Sequence, residues 1–163
     1  MADAATPGSA RRATVLLPGE ARRIGAEGGP YVDVLAEATL TRGALTLMET
    51  GGTEVGVGPP MHIHHRDDEA FYVLAGRYRM HLAGRDFDCP AGSFIYVPNG
   101  TVHGFFAVEA GTRKLNVYAP SAFEGFFEDL DRLATAARDD AAIADLFERF
   151  ATEVVGPIPD SYR

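Results

Sequence analysis

The chain is short of several things, and each scarcity excludes a class of function. It has one cysteine, Cys89, so no intrachain disulfide can form and no oxidising compartment is implied. No apolar run is long enough to span a bilayer, and the first residues lack the apolar stretch of a secretory signal. Positive charge is scarce and scattered: 15 Lys and Arg against 23 Asp and Glu leave a formal net charge of −8. An acidic chain without a basic block argues against a nucleic-acid partner, which dense Lys and Arg would hold. The expectation is a cytoplasmic protein with neither a membrane nor a nucleic-acid partner. At 163 residues the expected organisation is one domain, able to bury a core without staples.

What is present is mostly β-pattern. From Tyr31 to Ala119 short β-rich runs alternate with Gly and Pro turns, which predicts an all-β barrel over 15–120. Residues 1–14, rich in Ala, Gly, Ser and Thr, read as a loose tail. Val15–Leu17 and Glu20–Ile24 are candidate edge strands, and Ala38–Leu40 is a candidate strand. After Pro120 the period changes. Ser121 and Glu124 have the spacing of a capping box, and Phe123, Phe126, Phe127, Leu130 and Leu133 recur at helical intervals. Asp139 and Asp140 are candidate caps for a second helix, whose apolar stripe runs from Ile143 to Val154 and stops at Gly156 and Pro157. Residues 121–163 are therefore expected to be helices that pack on the barrel.

The chemistry concentrates in two stretches. His62 and His64 stand two residues apart, so on a strand both imidazoles point to one face. Glu69 lies at odd spacing from His64, but a turn through His65–Asp68 can reset the phase, and His103 must arrive from another strand. Three imidazoles and one carboxylate suit a divalent transition ion such as nickel, iron, manganese, cobalt, copper or zinc. Strand parity adds Phe71 and Val73 to the face of Glu69, and Phe105 and Ala107 to that of His103, as candidate pocket residues. Met48, Tyr96, Leu115 and Tyr118 are further candidates. His65 should point outward, His81 is not expected to be a ligand, and Asp67 and Asp68 read as solvated or paired with Arg66. Cys89 reads as a small core residue rather than a nucleophile, since no positive charge adjoins it.

The two stretches resemble the paired motifs of the cupin superfamily. Gly56, His62, His64, Glu69 and Gly76 fill every fixed position of the first motif; Gly92, Pro98, Gly100 and His103 fill the second. Ala107 stands where asparagine is usual, at a position that is not a ligand in the family. The resemblance implies a double-stranded β-helix (jelly-roll) barrel, here with a C-terminal helical segment. It also implies one divalent ion held by His62, His64, Glu69 and His103. The wording around His62–Leu74 is similar to single-domain bacterial cupins grouped with quercetin dioxygenases. That likeness implies oxidative cleavage of a flavonol-like or enolic aromatic molecule by dioxygen, with Glu69 able to take the enol or phenol proton. Two alternatives stay open: a non-redox polyketide cyclase or isomerase, and a non-catalytic small-ligand binder. Cupins commonly pair through edge strands, so a homodimer is expected.

Overall fold

The computed structural model describes residues 13–121, 123–135 and 140–157. Its elements in chain order are β1 (Arg22–Ile24), β2 (Tyr31–Ala36), α1 (Ala38–Thr41), β3 (Thr46–Gly51), β4 (Met61–His64), β5 (Asp68–Ala75) and β6 (Arg77–Leu82). They continue with β7 (Arg85–Pro90), β8 (Phe94–Val97), β9 (His103–Ala107), β10 (Arg113–Ala119), α2 (Glu124–Thr135), α3 (Asp140–Arg149) and β11 (Thr152–Gly156). One sheet has the order β1-β2-β3-β10-β5-β8 and the other β11-β4-β9-β6-β7. All the pairings are antiparallel. The two sheets form the expected double-stranded β-helix, with helices following it.

Alternation builds the interior. Along β5 the side chains of Glu69, Phe71 and Val73 are buried while Tyr72 between them is exposed, and β8 alternates Ile95 and Val97 inward with Phe94 and Tyr96 outward. Phe71, Val73, Ile95 and Val97 join Tyr78, Met80 and Ala107 in one core cluster between the sheets. A second cluster joins Val34 of β2, Met48 of β3 and Tyr118 of β10 to Phe123, Phe126 and Leu146. The C-terminal helices thus pack on the six-stranded sheet through aromatic rings, with Phe123 stacked on Tyr118 at 4.3 Å between centroids.

Several expectations need correction. Ala38–Leu40 is not a strand but most of α1, because Glu124, 86 residues away, accepts from the Ala38 N–H at 3.0 Å. That same carboxylate also accepts from the Thr46 hydroxyl at 2.5 Å. Glu124 is therefore used across the fold, and the capping box is not made: Ser121 Oγ is buried with no partner among the described residues. Val15–Leu17 form no strand, since the chain turns at once between Leu17 and Glu20, and β1 is limited to the three residues that pair with β2. The second helix ends at Arg149. Ala151 takes a left-handed conformation (φ 49), and Val154, expected on the helical stripe, lies instead in β11 beside β4. Residues 1–12 of the expected tail, and the capping role of Asp139, lie outside the described residues. Among the described residues no helix is long and apolar enough to cross a membrane.

Candidate metal centre

Register assembles the site. β4 meets β9 with His62 opposite His103, and β11 meets β4 with Thr152 opposite His64. On the other sheet, β10 meets β5 with Tyr118 opposite Glu69. The Pro98–Gly100 turn, where Gly100 adopts φ 78, feeds β9 so that His103 arrives beside His62. Asp68 pins this turn: its carboxylate accepts from the Asn99 N–H at 2.9 Å, the Asn99 side-chain amide at 3.0 Å and the Tyr96 hydroxyl at 2.6 Å. Asp68 is thus a bonded residue rather than a freely solvated one. Behind β9, a Cβ on Gly58 would sit 1.7 Å from the Phe105 carbonyl oxygen, so only glycine lets the segment before β4 lie against it.

The four expected ligands converge. His62, His64, Glu69 and His103 are all buried, and their candidate ligand atoms lie within 4.8 Å of one another. Glu69 Oε2 is 3.0 Å from His103 Nε2 and 3.3 Å from His64 Nε2. The outer ring nitrogens are tied down. His62 Nδ1 donates to the Pro60 carbonyl at 2.8 Å and His103 Nδ1 to the Thr101 carbonyl at 3.0 Å. His64 Nδ1 lies 3.3 Å from the Thr152 hydroxyl. A carbonyl accepts only from N–H, so in His62 the proton sits on Nδ1 and the Nε2 lone pair is left for an ion, while His103, also held through Nδ1, turns its Nε2 toward Glu69 Oε2. Bonds of about 2.0–2.2 Å to a common centre would hold such donors about 3–4.4 Å apart, so this cluster closes around an ion with small adjustments. The donor set and its outer hydrogen bonds fit a divalent transition metal.

Electrostatics agree with that use. Burial and the neighbouring His103 push the His62 imidazole down to about 4, which keeps it neutral and able to ligate. Burial alone would raise the Glu69 carboxyl, but hydrogen bonds from His103 and His64 outweigh it and hold the group well below the usual carboxylate range.

A cavity of about 570 Å³ opens onto the cluster. His62, His64 and Glu69 border it; His103, fully buried, does not. Phe105 lines it as expected, but Phe71, Val73 and Ala107 do not: they belong to the core cluster between the sheets. Phe71 and Val73 share the inward parity of Glu69, but their side chains pack into the core behind the cavity wall, Phe71 edge-on to Phe105 at 5.3 Å between centroids. Of the further candidates, Tyr118 borders the cavity, Met48 is core and Tyr96 is exposed. His65 is exposed and pairs with Glu153, His81 pairs with Asp86, and burial pushes the Cys89 thiol up, away from reactivity.

The residues missed from sequence are Thr50, Lys114 and Asn116, which border the cavity, and Thr152 behind His64. Along β10 the buried residues are Lys114, Asn116 and Tyr118, while Leu115 and Val117 face outward. Hydropathy alone points the other way. Only the pairing with β5, with Tyr118 opposite Glu69, reveals the true inward phase.

Fold and site together define a double-stranded β-helix protein with a three-histidine, one-carboxylate cluster at a cavity. The Cupin domain family matches residues 42–117, and the chain belongs to the cupin superfamily. A quercetin 2,3-dioxygenase from Bacillus subtilis is 35% identical over 69 residues, 42% of this chain but only 20% of that enzyme's length. An uncharacterized protein of Streptomyces coelicolor is 31% identical over 95 residues, 58% of this chain and 84% of that protein. Among solved structures, KdgF from Halomonas sp. superposes with a TM-score of 0.61 at 20% identity, covering 70% of this chain and 99% of that one. Pac13, a nucleoside dehydratase of Streptomyces, gives 0.58 at 15% identity over 92% and 97% of the two chains. The polyketide cyclase RemF from Streptomyces resistomycificus gives 0.55 at 22% identity over 67% and 80%. These structural likenesses concern the fold.

Proposed function

We propose that the protein is a metal-dependent cupin enzyme, a dioxygenase that acts on a flavonol-like or other enolic aromatic molecule. The observation that carries this reading is the buried His62, His64, Glu69 and His103 cluster at the end of a cavity walled by aromatic rings. At about 570 Å³ the cavity has the size of a small-molecule site, and its walls, including Phe105, Phe123, Phe126 and Phe147, suit a flat apolar ring system. The local likeness to a quercetin 2,3-dioxygenase supports the choice of reaction. Glu69 is the catalytic residue of this proposal. Its carboxylate, kept anionic among the imidazoles, is placed to accept the proton of an enol or phenol lying in the cavity. The aromatic wall would orient the ring and exclude water. When bound, a divalent ion would polarise a substrate oxygen and hold the reacting group in place. A homodimer joined at an edge strand belongs to the same reading, supported by the exposed Phe94 and Tyr96 on edge strand β8.

A second reading, a non-redox cyclase or isomerase of a polyketide or small keto compound, is favoured by one observation. Lys114 and Tyr118, both able to move protons, border the cavity along with Glu69. The test is elemental analysis of protein purified without chelators or metal-affinity steps, followed by oxygen-uptake assays with quercetin. About one equivalent of a redox-active metal or nickel, with oxygen consumption, is the expected result. One equivalent of zinc, with turnover of keto substrates under nitrogen, would replace it with the cyclase or isomerase. No metal after reconstitution would sink both enzymes and leave a binding protein.

A further inference from the structure

The chain contains one lysine, and the fold buries it in the cavity. Lys114 is only 3% exposed. Its ammonium donates to Asn116 Oδ1 at 2.8 Å and to Thr50 Oγ1 at 3.1 Å. No acceptor for its third N–H occurs among the described residues. Three rings surround it, with Phe105, Phe71 and Tyr78 centroids at 4.3, 4.8 and 5.7 Å. The faces of these rings attract a cation, but they supply no counter-charge. Among the described residues the carboxylates bordering the cavity are Glu69 and Asp131, and neither makes an ion pair with Lys114. Burial pushes the ammonium down to about 7, opposed only in part by the charge of Glu69 acting at a distance.

A buried cation with two neutral acceptors and no carboxylate in contact is costly to keep. A plain core position would be met more cheaply by Met or Leu. The polar groups around Lys114 are organised toward it, not scattered. Thr50 accepts from Lys114 and donates to Asn116 Oδ1 at 3.2 Å, and the Asn116 amide donates on to the Tyr118 hydroxyl at 3.4 Å. This row runs along the inward face of β10, from Lys114 to Tyr118, which stands opposite Glu69. One end of the cavity therefore carries a fixed cation and the other the four-ligand cluster. The two ends are four residues apart on the strand, about 13 Å between Cα atoms, and the long lysine side chain shortens that span.

We propose that Lys114 is an anion-binding residue: its free N–H receives a carboxylate or enolate oxygen of the substrate while an oxygen at the far end of the ring system lies at the metal cluster. This deepens the reading of the cavity as a substrate site. It narrows the substrate class to ring compounds that carry an anionic oxygen at one end and a hydroxyl or keto oxygen at the other. The anion completes the coordination of the ammonium and supplies a counter-charge in direct contact, which no described side chain provides.

The test is calorimetric titration of the full chain at pH 6.0 with 6-hydroxy-2-naphthoate and with its neutral amide, each against zinc-loaded and metal-free protein. The wild type should favour the carboxylate at least tenfold in both forms. Lys114→Met should reduce that preference to twofold or less without weakening the amide. If Lys114→Met does not fold, Lys114→Gln serves, since its amide can still bond Thr50 or Asn116. Equal binding of acid and amide by the wild type, or no binding of the acid, overturns the proposal. So does a preference that survives loss of the lysine, or one that vanishes when only the metal is removed, since the anion would then reside at the ion. A chain that takes up no metal yet keeps a lysine-dependent preference would sink the metal-enzyme reading and leave this inference standing.

Discussion

A carboxylate placed between imidazoles and away from water has few stable options, and Glu69 at 2% exposure is such a group. It is anionic because His103 and His64 hydrogen-bond it, and replacing it with Gln keeps the shape while removing the charge. Glu69→Gln should lower turnover by about 10²–10⁴-fold in either enzymatic reading, the usual worth of a positioned acid or base. A pure binder would keep its ligand affinity within about tenfold, so parallel rate and binding measurements on this variant separate the classes. Lys114 makes a different kind of prediction. Its folded value is about 7 against 10.5 for a free lysine. Between those values the unfolded chain holds a proton that the folded chain has released, so stability rises with pH. The benefit is complete above 10.5 and is lost as pH falls through 7. From pH 7 to 9.5 the gain should be about 3 kcal/mol in urea titrations. Staying below pH 10 avoids the tyrosines, including Tyr118, whose raised values act in the opposite direction. Lys114→Met should flatten the slope; a wild type whose midpoint does not move over this range would contradict the burial argument.

At the scale of elements, the site depends on a strand whose existence the sequence concealed. β11 covers the outer side of β4, and Thr152 places its hydroxyl beside His64 Nδ1. Thr152→Val preserves volume and β-propensity but leaves that nitrogen without a partner. Metal affinity, read by competition with a chromophoric chelator, should fall about 10–100-fold, with only about 1 kcal/mol lost in folding stability. Unchanged affinity would show that His64 needs no orienting group. Much of this architecture was legible beforehand. The His62, His64, Glu69 and His103 spacing and the Gly and Pro punctuation identified the barrel and its cluster, because these are local signals. What stayed hidden depends on distant partners. β11 looked like the tail of a helix because the left-handed residue that ends α3 is Ala151, not a glycine. α1 looked like a strand because its first N–H is capped by Glu124 from α2. The cavity face of β10 was hidden because its inward residues are polar and its outward Leu115 and Val117 are apolar, the reverse of an ordinary half-buried strand. Such a reversal marks a ligand-facing strand, but it becomes readable only when the pairing with β5 is known.

For the whole molecule, the cluster is also a fastening. His62 and His64 belong to β4 and His103 to β9, both in the five-stranded sheet, while Glu69 belongs to β5 in the six-stranded sheet. An ion held by all four would join the sheets at the end where the cavity separates them. Metal binding must then be coupled to folding, because the unfolded chain cannot assemble residues 62 and 103 around one point. With free metal at one hundred times its dissociation constant, the linked stabilisation is about 2.7 kcal/mol. In a domain of this size that amounts to a rise in Tm of roughly 5–10 °C on loading, reversed by a chelator. His103→Ala should abolish the rise, because it removes the fully buried ligand that ties β9 to the cluster. Amide exchange offers a sharper reading than Tm alone. Protection gained on loading should concentrate in β4, β5 and β9 rather than in β6 and β7, which contribute no ligand. A shift spread evenly over both sheets, or one that persists in the His103 variant, would mean that metal stabilises the protein elsewhere.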